Sequence, residues 1–198
     1  CALASKKGIN RIIFTSSVAI YGFAPPNTDE SGDPNYFNDY GRTKYWGENV
    51  YRQWYEEDTQ KRNLIVVRPT VIFGEANRGN VYNLLTQIAS GRFLMFGNGY
   101  NRKSMAYVQN VAECLKHVTT LNGYNLYNYI DKPDVDMNTL VGICRKTLFG
   151  KDGVGNRLPG WLGQLAGYVF DLLAFIMRRN LPISSIRVKK FMGTTAFS

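Results

Sequence analysis

Two short apolar runs stand out in the N-terminal part of the chain. Residues 12–14 (Ile-Ile-Phe) lead into three hydroxyl residues at 15–17, and residues 64–67 (Leu-Ile-Val-Val) lead into Arg-Pro-Thr at 68–70. Short runs without polar alternation are typical of parallel strands covered on both faces. The pattern therefore predicts two buried parallel strands, each followed by polar residues at its carboxyl end.

The segment between these strands has the periodicity of a helix. Aromatic and basic side chains recur at helical intervals from Tyr40 to about Asp58, and Asn38 or Asp39 precedes them as an N-cap. Strand, helix and strand form one βαβ unit, which predicts an α/β fold with a doubly wound parallel sheet. In such sheets, ligands bind outside the carboxyl ends of the strands.

The downstream pattern continues this alternation and then changes. The predicted elements are helices at 81–90, 107–120 and 137–150 and strands at 92–99 and 124–130. In the final stretch, residues 158–198, a strongly apolar helix at 160–177 precedes a basic tail. The glycine-rich segment 150–156 follows a helix rather than a strand, so it is predicted to be a surface loop.

The composition narrows the class of partner. Of the 198 residues 44% are hydrophobic, enough for a sizeable core, and the net charge of +9 favours an anionic partner such as a phosphate-bearing ligand. The sequence has no RNA-binding aromatic motif, zinc-finger spacing or long Lys/Arg run, so neither a nucleic-acid partner nor a metal site is predicted. Three separated cysteines outside any CxxC pair indicate free thiols in a reducing cytosol.

Tyr40 and Lys44 lie one turn apart on the same face of the predicted helix. An ammonium group near a phenol favours the phenolate and lowers the phenol's pKa from about 10 toward neutrality. Tyr40 is therefore a candidate general acid or base, and Ser17, at a neighbouring strand end, is a candidate to hold the alcohol that loses its proton. The Tyr–Lys spacing alone is weak evidence, because it also occurs by chance on solvated helix faces.

Several motifs together resemble a known family. The serine-ended strand is followed by Ile-Tyr-Gly at 20–22, by YGRTK at 40–44 and by a strand that ends RPTVIFG at 68–74. This order resembles the extended short-chain dehydrogenase/reductase family, the NAD(P)-dependent epimerases and dehydratases of nucleotide sugars. MFGNGYNRKSMAYVQNVAECL (95–115) and NLYNYID (125–131) resemble later segments of that family, so the resemblance covers nearly the whole chain.

The resemblance implies a Rossmann-type sheet with NAD as the cofactor, while NADP stays open. It implies that Ser17 binds the reacting hydroxyl, that Tyr40 is the catalytic acid/base, and that Lys44 holds the nicotinamide ribose. The cofactor-binding positions that it implies are Thr15, Tyr40, Lys44, Pro69, Thr70 and Val71.

The same resemblance implies a nucleotide-diphosphate sugar as substrate. Lys103 falls where many relatives place an arginine on the diphosphate, and Arg102 beside it can share that contact. Residues 94–96 match the strand that flanks the nucleotide base, although a plain core strand is an alternative. The implied substrate-binding residues are Ser17, Asn80, Leu94, Phe96, Arg102 and Lys103.

Parts of the family pattern are absent. No GxxGxxG turn follows an opening strand, and the acidic residue that would bind the adenosine ribose is missing. We therefore expect the chain to begin inside a longer reading frame and to be inactive by itself. On this interpretation residues 1–74 are the second half of the NAD-binding domain. Residues 75–198 are mostly a smaller substrate-binding region, from which 107–130 returns to the sheet.

The residues around Ser17 narrow the reaction. In the dehydratases of the family that this chain resembles, three successive positions are Thr-Asp-Glu. This chain has Ser17, Val18 and Ala19 at those positions. Because no acid is present there to expel water, reversible hydride transfer remains, which predicts a 4-epimerase acting through a keto-sugar in polysaccharide or O-antigen precursor synthesis. Two alternatives stay open: a dehydrogenase/reductase of another alcohol, similar to 3β-hydroxysteroid dehydrogenases, and a non-catalytic binding protein with the same fold.

Two segments predict further contacts. Family members pair through the tyrosine-bearing helix, so the aromatic residues at 46–55 imply a homodimer; the alternative is that they pack on their own sheet. The apolar helix at 160–177 is interpreted as a buried or dimer-facing helix, or as part of an amphipathic membrane-surface anchor through 160–190. The expected location is the cytoplasm, with a peripheral place at the inner membrane in the second case.

Overall fold

The computed structural model of the chain describes residues 1–177 and 184–198, without the side chain of Arg187. The chain forms two compact units: unit 1 comprises residues 1–79, 104–133 and 196–198, and unit 2 comprises residues 80–103 and 134–195. The division of function between residues 1–74 and 75–198 stays a prediction.

Among the described residues, one or two strands lie between each α-helix and the next, up to the helix at Gly160–Met177. In chain order the elements are α1 (Ala2–Lys6), β1 (Arg11–Thr15), α2 (Asp39–Glu56), β2 (Asn63–Pro69), β3 (Val71–Phe73), α3 (Asn80–Ala89), β4 (Met95–Phe96), β5 (Arg102–Tyr107), α4 (Val108–His117), β6 (Tyr124–Tyr129), β7 (Asp131–Asp136), α5 (Met137–Phe149), β8 (Arg157–Leu158), α6 (Gly160–Met177) and α7 (Ser185–Met192). Short 3₁₀ helices at Val18–Tyr21 and Val118–Thr120 follow β1 and α4.

The central sheet of unit 1 has the order β1-β2-β6, and both strand pairs are parallel. Ile13 pairs with Ile65 and Val66 pairs with Leu126, so the three carboxyl ends meet at one edge. All four residues from Leu64 to Val67 are fully buried. The apolar run without alternation thus forms a strand covered on both faces, and the predicted α/β class is confirmed.

Helices cover both faces of this sheet. Ile65 and Val67 pack with Cys114 and Leu115 of α4, while on the opposite face Phe14 packs against the tilted ring of Tyr51 of α2, with ring centres 4.8 Å apart. Helix α2 is the predicted one: Asn38 caps it, because its Oδ1 accepts a hydrogen bond from the Gly41 amide at 2.9 Å.

Unit 2 has its own apolar core. Helices α3 and α5 enclose it, and its buried members are Ile88, Phe93, Met95, Met137 and Val141. The strand predicted at 92–99 is shorter than expected: only Met95–Phe96 forms β4, which pairs in parallel with β8. Helix α5 is capped by Asp136 and ends at Gly150 in the left-handed region (φ 64°), where glycine is favoured.

Helix α6 in unit 2 presents an unusual distribution of side chains. It is 18 residues long with a mean hydropathy of 1.4, long and apolar enough by length and composition to cross a membrane. Only 11% of it is buried within the described residues. Its polar side chains face α7: Asp171 accepts a hydrogen bond from the Ser185 amide, and Gln164 donates one to the Ser185 carbonyl. The apolar side chains are therefore the ones left exposed.

Candidate active site

Ser17 lies directly beyond the end of β1, at the edge where the parallel strands end. Its backbone is extended, and its Oγ accepts a hydrogen bond from the Ala19 amide at 3.1 Å, which caps the 3₁₀ helix Val18–Tyr21. The side chain is half-buried. Ser17 thus occupies the predicted position at a strand end, held there by its own turn.

Tyr40 and Lys44 occupy the first turns of α2. The Lys44 ammonium donates a hydrogen bond to the Thr15 carbonyl at 2.9 Å and lies 5.9 Å from the centre of the Tyr40 ring. The Tyr40 side chain is 54% exposed. The structure therefore brings three of the predicted residues together: Lys44 links the end of β1 to the tyrosine, and the phenol stays open to a ligand.

Two glycines let α2 lie close to β1 and the turn after it. A Cβ at Gly41 would stand 2.6 Å from the Ala19 carbonyl oxygen, and a Cβ at Gly47 would stand 2.8 Å from the Phe14 ring. A side chain at Gly41 would force the helix away from the Ala19 backbone, whereas one at Gly47 would displace the Phe14 ring or the helix. The glycine that separates Tyr40 from Arg42 is thus what allows the tyrosine to approach the Ser17 turn.

The remaining predicted cofactor residues lie at the end of β2 and directly after it. Pro69 is the last residue of that strand, and Thr70 is buried, with its amide and its hydroxyl both donating to the Tyr129 carbonyl. Val71 begins β3 and is 41% exposed. Thr15 and Pro69 lie at the carboxyl ends of neighbouring parallel strands, so these residues share one edge of the sheet.

The residues present fit one half of a dinucleotide site. Ser16 beside Ser17 is 2% exposed, and its Oγ has no hydrogen-bond partner among the described residues. A buried hydroxyl without a partner is costly unless a bound group satisfies it. Together with the Lys44 ammonium, this hydroxyl suits the ribose and amide of a nicotinamide. No GxxGxxG turn follows a strand in the sequence, so none of the described residues matches the glycine-rich turn that binds a pyrophosphate.

Among the substrate candidates of unit 2, Lys103 is engaged in the structure. Its ammonium donates to the carbonyls of Lys190 (2.8 Å) and Gly193 (2.5 Å), so it holds the end of α7. Burial lowers the pKa of Lys103 to about 8, and the positive charge of Lys190 acts in the same direction. Arg102 is exposed, and its guanidinium makes no hydrogen bond within the described part of the chain.

The other substrate candidates differ in exposure. Asn80 is exposed at the start of α3, and Leu94 is 40% exposed. Phe96 is half-buried in β4, where its ring lies against Gly163 of α6. Their roles toward a substrate stay predictions.

A buried polar cluster escaped the sequence-based prediction. Arg68 of β2 is 4% exposed and forms an ion pair with Glu48 of α2, and it also donates a hydrogen bond to the Tyr21 hydroxyl. The available signals were a charged residue inside an apolar strand and a glutamate four positions after Lys44. Neither signal identifies the partner, because the pairing arises only in the folded chain.

A family profile and a known relative both match this chain. The profile of the NAD dependent epimerase/dehydratase family matches residues 1–128. The N-acetyl-alpha-D-glucosaminyl-diphospho-ditrans,octacis-undecaprenol 4-epimerase of Escherichia coli O157:H7 is 50% identical over 198 residues, which cover 99% of this chain and 60% of that protein. The chain therefore spans less than two thirds of that relative's length.

Two solved structures share the fold. MoeE5 in complex with UDP-glucose and NAD superposes with a TM-score of 0.66 at 19% identity, over 80% of this chain and 54% of that one. The crystal structure of gox2253 superposes with a TM-score of 0.73 at 17% identity, over 100% of this chain and 60% of that one. At such identities the likeness shows a common fold.

Proposed function

The chain belongs to the NAD-dependent epimerase/dehydratase family, and from this premise we propose that it is the catalytic part of a 4-epimerase for sugars attached through a diphosphate. The observation that carries the proposal is the arrangement at the end of β1. There the Lys44 ammonium binds the Thr15 carbonyl and lies near the ring of exposed Tyr40.

Each residue of this arrangement has a role in the proposed reaction. NAD, when bound, would supply the hydride chemistry at C4: a reversible acceptor for the hydride that the keto-sugar takes back on its other face. Tyr40 takes the proton of the C4 hydroxyl in the first half of the reaction and gives a proton back in the second. Ser17 orients that hydroxyl. Lys44 binds the nicotinamide ribose and keeps a positive charge beside the phenol.

The epimerase is favoured over the other reactions of the family. Val18 and Ala19 offer no acid to expel water, which disfavours a dehydratase. The relative that is 50% identical is named a 4-epimerase, which favours this reaction over the dehydrogenase and over a non-catalytic role. NAD rather than NADP is the cofactor we propose, because the family description names NAD.

The carrier of the sugar has two candidates that share a diphosphate. A nucleotide is the carrier predicted from the sequence. A polyprenol is the carrier in the name of the 50% identical relative, and the exposed apolar face of α6 provides a specific observation in its favour. In either case exposed Arg102 is the residue that we assign to the diphosphate first, since the Lys103 ammonium already binds two carbonyls.

We extend the proposal to a peripheral position on the cytoplasmic face of the membrane through α6. The exposed apolar side chains of this helix are Trp161, Leu165, Tyr168, Val169, Leu172, Leu173, Phe175, Ile176 and Met177. Lys189, a basic residue in the last turn of α7, suits anionic headgroups. Arg178 and Arg179 of the predicted basic tail lie outside the described residues.

A homodimer through α2 also remains part of the proposal. Of the aromatic residues predicted to form its surface, Trp46 is 53% exposed, whereas Trp54 is buried within unit 1. Tyr51 and Tyr55 pack against rings of their own unit, so the contact would rest on Trp46 and neighbouring Val50. Sedimentation equilibrium of the whole protein decides this, and a monomer at all concentrations would exclude it.

The function is tested by product analysis with the whole protein and NAD. Three substrates are compared: a UDP-sugar, a GDP-sugar and N-acetylglucosaminyl-diphospho-undecaprenol. We expect the C4 epimer from one carrier, and the carrier that reacts identifies the substrate class. Accumulation of an oxidised sugar with stoichiometric reduced cofactor would indicate a dehydrogenase instead, and no product from any carrier would contradict the proposal.

A further inference from the structure

Arg68 is a charged residue buried inside the parallel sheet of unit 1. Its Nε and Nη2 donate to the two carboxylate oxygens of Glu48 at 2.9 and 2.6 Å, which is a bidentate ion pair. Its Nη1 donates to the Tyr21 hydroxyl at 2.6 Å. Glu48 and Arg68 are each less than 5% exposed, so this ion pair is shielded from water.

The groups that Arg68 binds belong to the segments that carry the proposed catalytic residues. Glu48 lies one helical turn after Lys44 on α2, and Tyr40 lies one turn before Lys44. Tyr21 ends the 3₁₀ helix that Ser17 caps. A single guanidinium thus connects the strand before Pro69, the helix of the tyrosine and the turn of the serine.

The hydrogen bonds continue beyond the guanidinium. The Tyr21 hydroxyl donates to Asn128 Oδ1 at 2.9 Å, and the backbone N–H of Asn128 donates to a Glu30 carboxylate oxygen at 2.6 Å. Burial raises the pKa of the Tyr21 phenol above its ordinary value, although the Arg68 charge opposes this rise. The phenol therefore keeps its proton at neutral pH and stays a donor in the network.

Stability alone is a poor explanation for this cluster. The free energy needed to remove two charges from water is about as large as the free energy gained from their attraction. Well-packed apolar residues can therefore often replace such a pair without loss of stability. What apolar residues cannot supply is the fixed fork geometry of a bidentate contact. A network of this kind specifies where its segments lie relative to one another.

We propose that Arg68, Glu48 and Tyr21 are positioning residues, which set the distance and orientation between the Ser17 turn and the Tyr40–Lys44 face of α2. The proposal rests on the function assigned to Ser17 and Tyr40 above. Misplacement of reacting groups by about 1 Å can cost about 100-fold in rate, so a small shift of α2 has a large effect.

The test compares two double variants of the whole protein. Glu48→Leu with Arg68→Met replaces the buried pair by apolar residues of similar size. The matched control is Glu57→Leu with Arg62→Met, which removes the ion pair beside the C-terminal end of α2. We expect the first variant to keep its melting temperature within a few degrees and its KM within about threefold, while kcat falls about 10- to 100-fold. The control should keep its kcat.

Crystal structures of both variants provide a readout that does not depend on activity. The Ser17–Tyr40 Cα distance should change or vary between copies in the first variant and should stay constant in the control. An unchanged distance, or a kcat equal to that of the wild type, would overturn the positioning role. If the wild type shows no epimerase activity, the proposed function fails, and the structures alone still decide whether the network sets this distance.

Discussion

At the scale of single residues, the side chains of Tyr40 and Lys44 differ in how the protein holds them. The Lys44 ammonium is tied to the Thr15 carbonyl, whereas Tyr40 is more than half exposed at the start of its helix. The lysine is thus held by the protein's own backbone, and the phenol is accessible. The two side chains and their spacing could be identified from the sequence, because a helix fixes which residues share a face.

Replacing Tyr40 with Phe tests the role of the phenol directly. The variant lacks only the hydroxyl, so we expect kcat to fall about 1,000-fold, within the range of about 10² to 10⁴ that a positioned proton-transfer group contributes. Cofactor affinity should stay within a few-fold, as measured by titration of NAD against the whole protein. Turnover close to that of the wild type would remove Tyr40 from the mechanism.

At the scale of elements, helix α2 can lie close to the turn after β1 because Gly41 has no side chain. Gly41 has no room for a Cβ beside the Ala19 carbonyl, while Gly142 in α5 has no atom within 4 Å of an added Cβ. The two positions are therefore a matched pair of helical glycines. One is needed for close packing, and the other has only the ordinary cost of glycine in a helix.

Alanine at these two positions should have opposite effects. Gly142→Ala should stabilise the protein by about 0.5–1 kcal/mol, the usual preference of a helix for alanine. Gly41→Ala should lower both the melting temperature and kcat, because α2 must move away from the Ser17 turn. Calorimetry and steady-state kinetics on both variants check this. An active and equally stable Gly41→Ala protein would show that the close approach is dispensable.

The Lys103 contact with α7 predicts a dependence of stability on pH. Since the folded pKa of about 8 lies below the ordinary value of 10.5, the folded state binds fewer protons than the unfolded state between these values. Stability contributed by this group therefore rises as the pH increases from about 8 to about 10. We expect the melting temperature of the wild type, relative to Lys103→Met, to increase over this range. Parallel curves for the two proteins would contradict the burial of the charged amine.

The same scale shows why some elements could be predicted and others could not. Strand β2 has an apolar run, so its sequence pattern is clear, whereas the buried positions of β5 are Ser104 and Ala106, which carry no hydrophobic signal. Strand β7 contains three aspartates and Pro133, a composition that disfavours strands. The Glu48–Arg68 pair joins residues 20 positions apart and depends on the fold, so no local pattern reveals it.

At the scale of the whole molecule, α6 separates two accounts of how the protein meets its substrate. Its polar residues face α7 and its apolar residues are exposed, which is the arrangement expected of a helix lying on a lipid surface. A nucleotide-linked substrate does not require such a surface. A polyprenol-linked substrate is found only at the membrane.

Sedimentation with vesicles tests the α6 surface. The whole protein should bind vesicles that contain anionic phosphatidylglycerol, and Leu172→Glu with Phe175→Glu should weaken this binding at least tenfold, because two charges enter the apolar face. Ile143→Glu is the control, since this exposed residue lies on α5. Equal binding by all three proteins would exclude α6 as the contact.

The most direct test of the central claim follows the hydrogen at C4. The whole protein is incubated in ordinary water with NAD and a sugar diphosphate that carries deuterium at C4, and mass spectrometry and NMR locate the label in the product. Our account predicts that the epimer keeps its deuterium at C4, because the hydride leaves and returns within one site while only the hydroxyl proton passes through Tyr40. An epimer that has exchanged its C4 deuterium for solvent hydrogen would contradict it.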